Sequence, residues 1–187
     1  VGDGKFNPDG TVTRAEFLKM AMDSFGIGGH AYRDGECLDA TNDDWYCYYL
    51  QGALDKDIIP KEVIVNCNVT KVTKTLAEAT DDKKAVTTDV NVYTGKFDGD
   101  KPITREEMAA IAVRCKNYKM RRLTDWDNER RYPIFSFKDS DEIDEKYISD
   151  VVEAYNLNYI DGMEDGRFAP KENLTRAQAA VVMNNLK

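Results

Sequence analysis

Gly166-Arg167-Phe168-Ala169-Pro170-Lys171-Glu172-Asn173-Leu174-Thr175-Arg176-Ala177-Gln178 is one of three copies of a single phrase in this 187-residue chain. The phrase is Gly-x-Phe, six residues, then Thr-Arg. It occurs also as Gly4-Lys5-Phe6 to Thr13-Arg14-Ala15-Glu16, and as Gly95-Lys96-Phe97 to Thr104-Arg105-Glu106-Glu107. The glycine suits a tight turn with positive φ, and the phenylalanine anchors a polar loop. Each threonine precedes an apolar-periodic stretch and is followed three residues later by Glu16, Glu107 or Gln178, the pattern of a capping box. Three loops therefore deliver the chain into three capped helices.

The arginine after each threonine is the unusual residue. A cation is mildly unfavourable at the positive end of a helix, yet beside free amides it builds a corner for an anion. The alternative is an internal pair with one of the chain's many carboxylates.

Working outward, apolar periodicity predicts helices over 13–26, 43–56, 104–118, 144–157 and 175–187. Between the second and third, residues 61–94 alternate valines with polar residues, which predicts a small β excursion. It reads as an insertion: Ile59 to Phe97 spans 38 positions, whereas Ile160 to Phe168 spans 8. Residues 119–136 carry five Lys or Arg around Trp126 and read as a connector. The acidic cluster Asp139, Asp141, Glu142, Asp144 and Glu145 suits the start of the following helix through the dipole.

Composition excludes several classes. A net charge of −8 argues against nucleic acid, which demands a basic face. No apolar run approaches the length of a membrane span. The chain shows no signal-peptide pattern and starts within the first loop, from which a missing upstream segment is expected. The single histidine, His30, lies in a Gly-rich loop as a solvated residue with no nucleophile beside it, and no carboxylate pair is recognisable. An enzyme is therefore not expected, nor a cofactor. Residues 5–16 imitate a calcium loop but place Lys5 at the first ligand position, so no metal is expected. Of four cysteines, Cys37–Cys47 and Cys67–Cys115 are possible disulfides beside the alternative of free buried thiols.

Two units align in sequence, Tyr32-x-Asp34…Trp45…Leu50…Ala53…Ile58-Ile59 with Phe137-x-Asp139…Tyr147…Val151…Ala154…Tyr159-Ile160. Together with Asp165-Gly166-Arg167-Phe168-Ala169-Pro170, Leu174-Thr175-Arg176-Ala177-Gln178 and Asp3-Gly4-Lys5-Phe6-Asn7-Pro8, Val12-Thr13-Arg14-Ala15-Glu16, the pattern resembles the S-layer homology family. The resemblance implies a mainly α fold of three pseudo-symmetric helix-loop-helix repeats around a helical core, with a small β insertion in the middle repeat. Residues 1–30 would be a partial repeat with only the loop and second helix. Residues 31–120 would form a repeat carrying the insertion at about 61–94, and residues 121–187 a connector and third repeat.

The implied function is a non-catalytic anchoring module at the extracellular, bacterial cell surface. It would bind an acidic, often pyruvylated, secondary cell-wall polysaccharide in grooves between repeats. The residues that would hold the glycan are Arg14, Arg105, Arg176, Trp45, Gly95 and Gly162. A guanidinium suits a carboxylate bidentately, and an aromatic face suits a sugar ring. The competing reading is a structural subunit of an extracellular lattice or filament, with other copies of itself or a surface-layer protein as partner.

Overall fold

The computed structural model describes residues 6–33, 39–59, 69–77, 84–93, 95–121 and 137–186. Within them lie helices α1 (Arg14–Ser24), α2 (Cys47–Asp55), α3 (Arg105–Arg121), α4 (Ile148–Asn156) and α5 (Arg176–Asn185), and strands β1 (Val69–Ala77) and β2 (Val86–Tyr93). The fold is mainly helical.

All three capping boxes form. Thr13, Thr104 and Thr175 each accept the amide of the residue three on, at 3.2, 3.4 and 3.2 Å, and Glu16, Glu107 and Gln178 each reach back to the cap amide. Both α2 and α4 begin later than periodicity predicts. Asp44 first closes a turn by accepting from the Thr41 amide at 2.7 Å, and two 3-10 turns, Ser140–Glu142 and Glu145–Tyr147, precede α4.

The C-termini of α1, α2 and α4 share one device. Ile27, Ile58 and Tyr159 donate back across the last turn to Met22, Ala53 and Ala154 carbonyls, each at 2.9 Å, past a left-handed Gly26, Asp57 or Asn158. This is the Schellman closure, and it tucks the following apolar residue against the helix.

Positive φ in the three loops sits only in part where the sequence suggests. Of the described loop glycines only Gly166 has it, at 85°, and Gly95 does not. The shared left-handed residue is instead the one after each phenylalanine: Asn7, Asp98 and Ala169, with φ of 47°, 52° and 57°. An aspartate explains two of these. Asp39 accepts the amides of Phe97 and Asp98 at 2.8 and 2.6 Å, and Asp139 accepts those of Phe168 and Ala169 at 2.7 Å each. A carboxylate bridging two successive amides holds the chain through the reversal.

The loops meet in a closed ring of backbone hydrogen bonds. Val12 donates to Leu174, Leu174 to Ile103, and Ile103 back to Val12, at 3.0, 2.9 and 3.0 Å. Two residues further on, a second set of bonds runs round the ring in the opposite sense: Arg14 donates to Lys101, Arg105 to Glu172, and Arg176 to Gly10. Inside the ring Val12, Ile103 and Leu174 are buried with Phe17, Leu18, Met108, Ile111, Phe97 and Phe168 in one core. The helix starts are therefore fixed relative to one another by the backbone itself.

The β excursion is an antiparallel hairpin, registered Val69↔Tyr93 to Ala77↔Val86, with an irregularity between Thr75 and Ala77. Val63, Ile64 and Val65, Asp81 to Lys83, and Trp126 with most of its connector lie outside the described residues.

Two expectations are overturned. Neither disulfide forms: Cys115 is a free thiol wholly buried on α3, where burial pushes its pKa up, and Cys47 is a free, half-buried thiol near the Asn42 carbonyl at 3.7 Å. Their proposed partners, Cys37 and Cys67, lie outside the described residues. The pairing of Trp45 with Tyr147 also shifts by one. Tyr46 and Tyr147 both cap their helices in helical geometry and are buried, so Trp45 corresponds to Lys146.

Candidate functional site

The three arginines do the same thing to the backbone and differ in everything else. Each guanidinium donates to the carbonyl of the next loop's phenylalanine: Arg14 to Phe97 at 3.0 Å, Arg105 to Phe168 at 2.7 Å, and Arg176 to Phe6 at 3.0 Å. The clamps run round the ring in the same sense as the arginines' own amide bonds, opposite to that of the Val12, Leu174 and Ile103 bonds. A residue that strains slightly against the helix dipole thus has a structural reason to be there.

Arg14 occupies a closed corner. It is buried, and Glu107 grips it twice, through Nε at 3.2 Å and through Nη2. Gly95, two residues before Phe97, is buried beside this loop. The internal carboxylate pairing that the sequence left open holds here.

Arg105 is buried as well, but its hydrogen-bond partners are the carbonyls of Phe168 and, at 3.1 Å, Asp161. It also lies over the Phe168 ring, 5.0 Å from the centroid. Burial pulls its pKa below the ordinary value, while the more distant Glu172 and Asp139 carboxylates act against that. The Asp161 contact brings it next to Gly162. A Cβ on Gly162 would stand 2.8 Å from the Phe137 ring and 3.2 Å from the Arg167 carbonyl, so this position accepts only glycine without a shift.

Arg176 is the most open of the three. Half-buried, it lies 5.6 Å from the Phe6 ring centroid and lines a groove of about 280 Å³ between α1 and α5. Trp45 and Phe6, both 53% exposed, share this groove with Glu16 and Lys19. Lys19 pairs with Asp23 and lies over the Tyr49 ring at 4.9 Å. So the structure brings Trp45 together with Arg176 and Arg105 beside Gly162, and sets the pairs in separate corners.

Asp39 carries no signal that the sequence reading uses. The sequence places Asp139 in an acidic cluster at a helix start, whereas it is buried and serves the Phe168 loop. The aromatic-x-Asp motif was its signal. In the middle unit Asp39 has that role, seven residues after Tyr32, and Asp34 lies outside the described residues. His30 is exposed, but it is held by Asp55 at 2.6 Å and Lys56 at 3.0 Å. Among the described residues no group of His, Cys, Asp or Glu is arranged to hold a metal ion, and no helix is long and apolar enough to cross a membrane.

The S-layer homology domain model matches residues 1–18 and 136–180, which contain two of the three Thr-Arg helix starts. The third, at Thr104-Arg105, occupies the remaining place in the ring. The chain carries S-layer homology domain sequence. Domains of this family anchor proteins at the cell surface.

Three relatives extend the comparison over nearly the whole S-layer homology chain. An amylopullulanase of Thermoanaerobacterium thermosulfurigenes and the exoglucanase XynX of Acetivibrio thermocellus are each 32% identical over 184 residues, 98% of this chain. An endoglucanase of Bacillus sp. (strain KSM-635) is 30% identical over 181 residues, 97% of this chain. The match covers 8%, 14% and 15% of those proteins, so the chain spans a small part of the length of the curated relatives it matches.

Proposed function

We propose that this chain is a non-catalytic anchoring module that binds an acidic secondary cell-wall polysaccharide at the bacterial cell surface. One observation carries the reading: a half-exposed tryptophan and an arginine line the same groove. The Trp45 ring offers an apolar face to a sugar, and the Arg176 guanidinium keeps N–H groups beyond the one on Phe6 for a carboxylate such as a pyruvyl group. Arg105 beside Gly162 forms a second, more buried cationic corner for the same ligand class. The names of the relatives are those of polysaccharide-degrading enzymes, and the chain is read as the part that holds such a protein at the wall.

The ring of loop contacts supports three pseudo-symmetric repeats, divided at about residues 30 and 120, with the hairpin inserted in the middle one. The test is co-sedimentation with purified bacterial sacculi, carrying their acidic polysaccharide or stripped of it. Pelleting only with the polysaccharide is expected; equal pelleting with both preparations, or none with either, contradicts the reading.

A second reading, self-assembly into a surface lattice, is favoured by the exposed Phe6 and by Val181, 57% exposed on α5. Its signature is a molar mass that rises with concentration in size-exclusion chromatography with light scattering.

A further inference from the structure

The residue three positions into each capped helix faces a different task at each corner. Glu107 caps Thr104 and also holds the buried Arg14. Following the same order round the ring, the residue opposite Arg105 is Gln178, and its bonds are the capping ones to Thr175. The residue opposite Arg176 is Glu16, which lines the groove and bonds to Thr13 rather than to the arginine. Among the described residues, only the Arg14 corner carries a carboxylate already seated on its guanidinium.

We propose that Glu107 is the resident ligand of Arg14 and the residue that decides where this chain takes its glycan. The Glu107 carboxylate covers the N–H groups that an incoming carboxylate would need, and both partners are buried. A ligand entering there would have to displace a largely desolvated carboxylate held by two hydrogen bonds and strand it. The Arg14 corner is therefore closed, and acidic sugar is taken only at the Arg105 and Arg176 corners. This rests on the glycan-binding reading, but its test uses a simpler probe.

Arginine Nε–H resonances, assigned through single Arg→Lys variants, are followed while pyruvate is added to the whole chain. In the native protein the Arg176 signal is expected to move and the Arg14 signal to stay fixed. In Glu107→Gln the Arg14 signal is expected to become responsive. Glutamine keeps the capping acceptor, as Gln178 does on α5, so this variant is expected to fold. A pyruvate response of Arg14 in the native chain overturns the proposal, as does an unresponsive Arg14 in folded Glu107→Gln.

The double variant Arg14→Met/Glu107→Met provides a second readout, because it removes both charges together. It is expected to pellet with polysaccharide-bearing sacculi as fully as the native chain, and a loss of half or more of the pelleted fraction overturns the proposal. If the native chain does not pellet while the resonances behave as stated, the anchoring reading fails and the role of Glu107 stands.

Discussion

At the scale of single residues, buried carboxylates decide the local geometry. Asp139 is 4% exposed and accepts two amides at 2.7 Å each. Asp139→Ala is expected to cost about 2–4 kcal/mol in urea unfolding, because charge-assisted hydrogen bonds contribute about 1.5–3 kcal/mol and the two amides would lose their acceptor. Arg14→Met alone is expected to cost about 3–5 kcal/mol by stranding Glu107, whereas Arg14→Met/Glu107→Met is expected to cost only about 1–2 kcal/mol, for the Thr104 amide and Phe97 carbonyl that lose their partners. A double-mutant cycle on the same unfolding curves checks the difference. Asp55 supplies a pH test. Partial burial raises its pKa, but hydrogen bonds from Arg33, His30 and Gln51 outweigh this and hold it below its ordinary 3.8. A carboxylate depressed on folding stabilises above its unfolded value, and that contribution is lost as pH falls through the folded value. Asp55→Asn is therefore expected to flatten the acid limb of stability against pH below about 4, leaving the neutral region with a constant offset.

At the scale of elements, what was legible in the sequence was what local chemistry controls. The capping boxes were readable because a threonine and the residue three on meet inside one turn, whatever surrounds them. Thr13→Ala and Thr175→Ala are each expected to cost about 1 kcal/mol in unfolding free energy. Helix starts at α2 and α4 were misjudged because Asp44 and two 3-10 turns take up the residues that periodicity assigns to helix. Asp39 escaped notice because its partners, Phe97 and Asp98, are 58 and 59 positions away across the insertion. The sequence pairs Trp45 with Tyr147, and the structure shifts that pairing by one, because adjacent aromatics at 45 and 46 let the alignment slip. The hairpin was visible as alternating valines. Its two strands pair with each other, and among the described residues no helix makes extensive contact with either. Replacing residues 69–93 with a short Gly-Ser linker is expected to leave helical circular dichroism and glycan binding intact. Loss of the cooperative unfolding transition would show that the hairpin supports the core.

At the scale of the whole molecule, the same three arginines clamp a ring and differ in what they leave free. The sequence showed their equivalence; only the fold shows that Arg14 is consumed by Glu107, that Arg105 is buried on carbonyls, and that Arg176 opens onto a groove with Trp45. Those differences come from contacts between helices far apart in sequence, which no spacing rule encodes. The central claim is that this groove holds the acidic glycan, and Trp45 itself can report on it. The chain has two tryptophans, so Trp126→Phe leaves Trp45 as the sole indole emitter. Its fluorescence is to be titrated with polysaccharide released from sacculi, before and after removal of the acidic groups, in the native and Arg176→Met backgrounds. The account predicts a saturable change with the acidic polymer, weakened at least tenfold by Arg176→Met and absent with the neutral polymer. An unchanged Trp45 emission while the protein still binds the polymer would contradict it.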